Sequence, residues 1–141
     1  MALTENELKK LYEYKYWREV QRNQLTITSN IIFTFSVALI GFTINYLLKN
    51  GSLCPIIKGK LFNSISLYSL SILFYLIMNF SKLVDYRKTA SLIMKETPNN
   101  EIQKKTNLLG KITWYSFILE ILLTFIGFII TMISFKSIIF N

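Results

Sequence analysis

The sequence predicts an all-α fold: an integral membrane helical bundle of three transmembrane helices, two of them forming a long hairpin that extends into the cytoplasm. Three observations predict it. The 141-residue chain is 52% hydrophobic with mean hydropathy +0.38, high for a water-soluble domain. Its apolar residues gather in three blocks long enough to cross a bilayer. Lysine and arginine are shared unequally between the segments joining these blocks, the pattern that sets membrane orientation.

Residues 1–24 read as a juxtamembrane helix on the cytoplasmic side. Thr4 with Glu7 has the form of a capping box and good helix formers follow, so a helix is expected to begin near Glu5 and to be able to run unbroken into the first span. Tyr12, Tyr14, Tyr16 and Trp17 do not resolve onto one clean helical stripe. They suit either anchoring at the membrane interface or packing against protein on more than one side. The opening MALTENELKK lacks the short basic region of a signal peptide and carries acids, so the first span is expected to stay.

The first span, 25–48, holds no charged residue and at helical rise reaches about 36 Å. An outer loop, 49–60, with Gly51, Pro55 and Gly59, is expected to be irregular. The second span, 61–81, is shorter, its stretch Leu61 to Phe80 reaching about 30 Å. Ser64, Ser66, Ser69 and Ser71 make it the helix expected to be most enclosed by protein. A cytoplasmic helical hairpin, 82–111, follows: no breaker interrupts Lys82 to Glu96, Thr97, Pro98, Asn99 and Asn100 form a turn signal at 97–100, and Asn100 with Gln103 could start the next helix. Gly110 is a possible hinge before the third span, 112–135, whose only charged residue is Glu120; 136–141 is an outer tail.

Five basic residues precede the first span and seven lie between the second and third, against four on the other side. This bias puts the N-terminus and the second loop in the cytoplasm and the C-terminus outside an inner (plasma) membrane. The net charge of +8 is juxtamembrane and interleaved with acids, which favours anionic lipid headgroups over nucleic acid. Lys9, Lys10, Arg18, Arg22, Lys82, Arg87, Lys88, Lys104, Lys105 and Lys111 are the headgroup candidates. With no histidine and only Cys54, a disulfide framework and a Cys/His metal site are excluded and neither cofactor nor metal is expected. No nucleophile, base and orienting group occur together at a useful spacing, so an enzyme is not expected.

Function is sought on polar helix faces. Thr113, Ser116, Glu120, Thr124, Gly127, Thr131 and Ser134 recur at steps of three and four, one continuous face of the third span. A carboxylate among these apolar residues costs about 2.5–3.5 kcal/mol on insertion scales, so it must face protein or water. No Lys or Arg lies within the apolar stretches to pair with it. The candidate partners in one chain are Asn30, Asn45, Tyr68, Tyr75 and Asn79; in an oligomer, Glu120 side chains of neighbouring copies could ring a watery axis.

The first span carries a second line, Thr26, Asn30, Thr34, Ala38, Gly41 and Asn45, and the second span a third, Ser64, Tyr68, Ser71, Tyr75 and Asn79. These two serve helix packing or a secondary lining, since small and hydroxylated residues let membrane helices approach closely. The leading expectation is a homo-oligomeric ion channel or pore lined by the third span and gated by the cytoplasmic helices. Its alternatives are a non-conducting interaction subunit with Glu120 buried in its neutral form and a proton-coupled transporter using Glu120 as carrier.

This layout, a cytoplasmic helix from Glu5 feeding the first span, few membrane helices and a basic cytoplasmic section with its turn at Pro98, resembles the small membrane effectors of bacterial anti-phage defence, the SLATT group. The resemblance is architectural, and the third span departs from that group. It implies a pore-forming or membrane-disrupting protein that arrests an infected cell when a cytoplasmic protein or ligand activates it. The chain is also similar to holins, small basic lesion formers, though longer and without a concentrated basic tail. Small multidrug transporters share a membrane glutamate but place it in the first of four spans.

Overall fold

The computed structural model describes residues 5–50, 53–95 and 100–139, with side chains at 9, 12, 13, 16, 17, 19–50, 53–86 and 108–139. Three long helices account for nearly all of it: α1 (Glu5–Lys49), α2 (Pro55–Lys95) and α3 (Asn100–Ile139). No strand occurs among the described residues. Stretches of all three, Glu19–Lys49, Pro55–Tyr86 and Leu108–Ile139, are long and apolar enough to cross a bilayer.

Local chemistry sets the ends. After Lys49 the Asn50 amide and its side-chain Nδ2 both donate to the Tyr46 carbonyl, each at 3.1 Å, satisfying an acceptor left over by the last turn. Pro55 opens α2, where a residue without an N–H is suited to the first turn. The Cys54 carbonyl accepts from Ile57 and Lys58 at 3.0 and 3.1 Å. Helix reaches into the expected loop 49–60 at both ends, since α1 includes Lys49 and α2 begins at Pro55 with Gly59 inside it. α3 runs unbroken through Gly110. Thr4 of the expected capping box lies outside the described residues, as does the turn at 97–100 apart from Asn100.

Two compact units divide the chain, Met1–Ile31 and Ile32–Asn141. In the second, α2 and α3 run antiparallel: Tyr68 meets Thr131, Ser71 meets Thr124, and Ser81 meets Leu109 and Thr113. The part of α1 beyond Ile32 packs on this pair through aromatic contacts. Phe33 stacks on Tyr75 with centroids 4.4 Å apart, Phe35 and Phe42 lie 5.8 and 5.5 Å from Phe128 and Phe135, and Tyr46 meets the Phe135 ring edge-on at 4.8 Å.

The interior of this unit is largely polar, with Leu61, Tyr68 and Met78 also buried in it, and its exterior is largely apolar. Ser36, Thr43, Ser64, Ser71, Ser81, Ser116, Glu120, Thr124, Thr131 and Ser134 are buried, while Phe62, Leu76, Phe80, Leu122, Phe125 and Met132 are exposed. In water this distribution would leave the hydrophobic effect unused. In hydrocarbon it is the favourable one, because lipid tails solvate the Leu and Phe surface and small hydroxylated residues let helices close on each other. α2 and α3 are enclosed to the same extent and α1 less, so the middle helix is not more enclosed than the third.

Candidate functional site: the polar seam and the outward face of α1

The α3 stripe is the inner face of the bundle. Ser116, Glu120, Thr124, Gly127, Thr131 and Ser134 are buried and Thr113 is half-buried within one chain. Cross-helix contacts explain why. Ser71 Oγ donates to the Glu120 carbonyl at 3.0 Å and lies 2.7 Å from Thr124 Oγ1, which lies 3.0 Å from Ser36 Oγ. Each hydroxyl has one proton to give. Because Ser71 gives its own to the carbonyl, Thr124 must donate to Ser71, and Ser36 in turn to Thr124. The outcome is a directed chain, Ser36 to Thr124 to Ser71 to the Glu120 carbonyl, linking α1, α2 and α3.

A second directed chain lies towards the other end of the seam. Thr131 Oγ1 donates to the Gly127 carbonyl at 2.9 Å, so the Tyr68 hydroxyl, 3.0 Å from Thr131, is the donor between them. Gly127 lies against the same ring. A Cβ there would stand 2.8 Å from Tyr68 Cε1, so only glycine allows this approach. At the opposite end Ser81 Oγ donates to the Leu109 carbonyl at 3.1 Å, and Thr113 Oγ1 is shared between that carbonyl, at 2.9 Å, and Ser81, at 3.3 Å.

Glu120 is fully buried in the single chain. The charge nearest in chemistry is one the sequence reading assigned to lipid headgroups: Lys82, half-buried on α2, interacts electrostatically with the Glu120 carboxylate. The Ser81–Leu109 contact sets Lys82 about 16–18 Å along the bundle from Glu120. Side chains on a helix lean towards its N-terminus, and in antiparallel helices those leanings point at each other. No Lys or Arg lies within the apolar stretches themselves, and Lys82 stands just beyond the second of them.

The five candidate partners are placed as follows. Asn30, in the first unit, and Asn45 are exposed; Tyr68 is engaged with Thr131, Tyr75 stacks on Phe33, and the Asn79 amide donates to the Tyr75 carbonyl at 3.1 Å. Of the α2 line, Ser64 and Ser71 are buried, and Tyr75 and Asn79 half-buried. Of the headgroup candidates, Lys9 and Lys111 are exposed and Arg22 half-buried; the side chains of Lys10, Arg18, Arg87, Lys88, Lys104 and Lys105 lie outside the described residues.

The second span-length polar face is open. Thr34, Ala38, Gly41 and Asn45 are all exposed, and nothing stands within 4 Å of a Cβ built on Gly41. At about 100° per residue they point roughly opposite to Ser36 and Thr43, the pair with which α1 meets the bundle. That inward pair, seven residues apart, went unnoticed in the sequence, although its spacing marks one helix face. Within Ile32–Asn141, α1 thus carries small and polar residues on two sides, and Ser36 and Thr43 on one of them are buried while the other is exposed. No group of three or more His, Cys, Asp or Glu residues capable of holding a metal occurs among the described residues. Comparison with protein-family models, with curated proteins and with solved structures finds no match to this chain.

Proposed function

We propose that this chain is the subunit of a homo-oligomeric integral membrane protein whose copies meet through the outward face of α1. The observation that carries this reading is the exposed line Thr34, Ala38, Gly41 and Asn45 on a helix otherwise apolar enough for hydrocarbon. Polar side chains at that depth face protein or water. The α3 stripe needs no second copy, since α2 and α1 already cover it. The orientation remains that of the charge bias, with the N-terminus and the α2–α3 connection cytoplasmic and the basic juxtamembrane residues against anionic headgroups.

Two arrangements satisfy the α1 face. Packed directly on its counterparts it closes a non-conducting assembly, which the open approach at Gly41 favours, because glycine lets backbones come close. Arranged around a hydrated axis it lines a pore, which the amide of Asn45 and hydroxyl of Thr34 favour as groups able to replace ion hydration. The lining is then α1 in place of Glu120 and its neighbours, with a toxic effector of anti-phage defence as the setting that the architecture resembles.

Mass measurement of the protein in nanodiscs, followed by planar-bilayer recording of wild type, Gly41→Leu and Asn45→Leu, tests this. Expected are discrete oligomers that Gly41→Leu dissociates. Current that Asn45→Leu alters selects the pore, and oligomers without current select the closed assembly. A wild-type monomer ends both.

A further inference from the structure

Two helices of the unit Ile32–Asn141 turn an unpaired carboxamide outward. On α1 the outward line runs through Gly41 and Asn45 to Leu48, which is 79% exposed. On α2, Gly59, Asn63 and Ser66 are exposed and recur at helical steps, a face turned away from the buried Ser64 and Ser71. Nothing stands within 4 Å of a Cβ built on Gly41 or on Gly59. Neither the Asn45 nor the Asn63 carboxamide has a hydrogen-bond partner among the described residues, and each lies within a stretch apolar enough to cross a bilayer. A carboxamide offers two donors and an acceptor, and leaving them unpaired against apolar surroundings is unfavourable.

Contacts within the chain set these two faces in register. Phe33 stacks on Tyr75, and Ser36 reaches Ser71 through the Thr124 hydroxyl. α1 and α2 therefore run in opposite directions, and equal rise carries the register towards their connection. Gly41 then lies level with Ser66, Asn45 with Asn63 and Leu48 with Gly59. The faces are complementary at one depth: amide stands opposite amide, and the bulkiest side chain of the α1 line stands opposite a glycine, which lets helices come close. Each face is turned away from its own bundle, so the two cannot meet inside one chain.

We infer that the Gly59–Asn63–Ser66 face of α2 docks the outward α1 face of a second copy of this chain, Asn45 of one copy pairing with Asn63 of the next. Symmetry selects this occupant. Copies inserted in one direction share their depths, and any axis relating them stands normal to the bilayer. A two-fold contact of α1 on α1 leaves the α2 face uncovered, and adding a second two-fold contact of α2 on α2 generates an unbounded row. A contact of α1 on the neighbour's α2 covers both faces of every copy and can close into a ring. The inference rests on the homo-oligomeric reading above, and it names the surface that the α1 face meets.

The test uses the full chain in native-lipid nanodiscs, with Cys54→Ser to remove the only native thiol. Asn45→Cys chains and Asn63→Cys chains, differently tagged, are oxidised with copper phenanthroline, first together and then each alone. Covalent dimers carrying both tags are expected from the mixture, and none from either variant by itself. Because each cysteine removes one amide of the pair, Gly41→Cys mixed with Ser66→Cys repeats the comparison with both asparagines in place, and the same outcome is expected. Dimers formed by any one variant alone show like faces meeting, which overturns the inference and leaves the homo-oligomer standing. Discrete oligomers by native mass measurement with no cross-link in either mixture do the same, whereas monomers overturn both readings. A nitroxide on Asn63→Cys that meets dissolved oxygen as freely as one on Phe125→Cys, at a side chain 61% exposed, makes lipid the occupant and overturns the inference.

Discussion

Thr124 is the residue on which the three helices meet, because its single hydroxyl accepts from Ser36 and donates to Ser71. Thr124→Val keeps the shape and removes both bonds. Hydrogen bonds between membrane helices average about 0.6 kcal/mol, with a maximum near 1.7, so a loss of about 1–2 kcal/mol is expected by equilibrium unfolding in mixed micelles. Ser66→Ala, at an exposed hydroxyl bonded only to the Phe62 carbonyl of its own helix, should change stability by less than about 0.5 kcal/mol. Glu120 and Lys82 make a second residue-scale prediction. Removing Lys82 leaves a fully buried carboxylate and removing Glu120 a half-buried cation, so Glu120→Gln and Lys82→Met should each destabilise, and the double variant should recover part of the loss. A double-mutant cycle should give a coupling of about 0.5–3 kcal/mol; additive effects would show that the two act independently.

At the scale of the element, each helix is two-sided, and the sides do different work. The inner face of α3 was legible as a period of three and four, because a helix presents every such residue in one direction whatever lies opposite. What lay opposite was not legible. The same period describes a pore lining and a packing seam, and the Ser71 and Tyr68 contacts show only that this face meets α2 within one chain. Gly127 and Gly41 illustrate the difference. At Gly127 an added methyl meets the Tyr68 ring, which is fully buried and bonded to Thr131. Gly127→Ala should therefore cost about 1–3 kcal/mol through overpacking. Gly41→Ala meets nothing in its own chain and should leave the unfolding of a detergent-dispersed single chain unchanged or slightly strengthened through helix propensity. Circular dichroism melts of the two variants give the comparison. Sequence spacing treats these glycines alike; neighbours separate them.

At the largest scale, the decisive arrangement is that of Ile32–Asn141, a largely polar interior within a largely apolar exterior. Orientation makes the molecule-scale prediction. Cys54, exposed in the short connection between α1 and α2, should react with a membrane-impermeant maleimide added outside intact cells. A cysteine placed at Lys111 in Cys54→Ser should react only after the membrane is opened. The reverse pattern would invert the topology drawn from the lysine and arginine bias.

Sequence alone determined that there are three apolar, span-length helices, that small and hydroxylated residues line one face of each, and that a single carboxylate lies among them. These follow from composition and period, which need no neighbour to be read. Only the tertiary structure decided that the glutamate-bearing face is closed within one chain, that Lys82 is half-buried on α2, and that the face of α1 at Thr34–Asn45 is left open. The reason is physical: a helix's own period says which residues point together, while burial depends on the register and side from which another helix approaches, and that is set by contacts between residues distant in the chain.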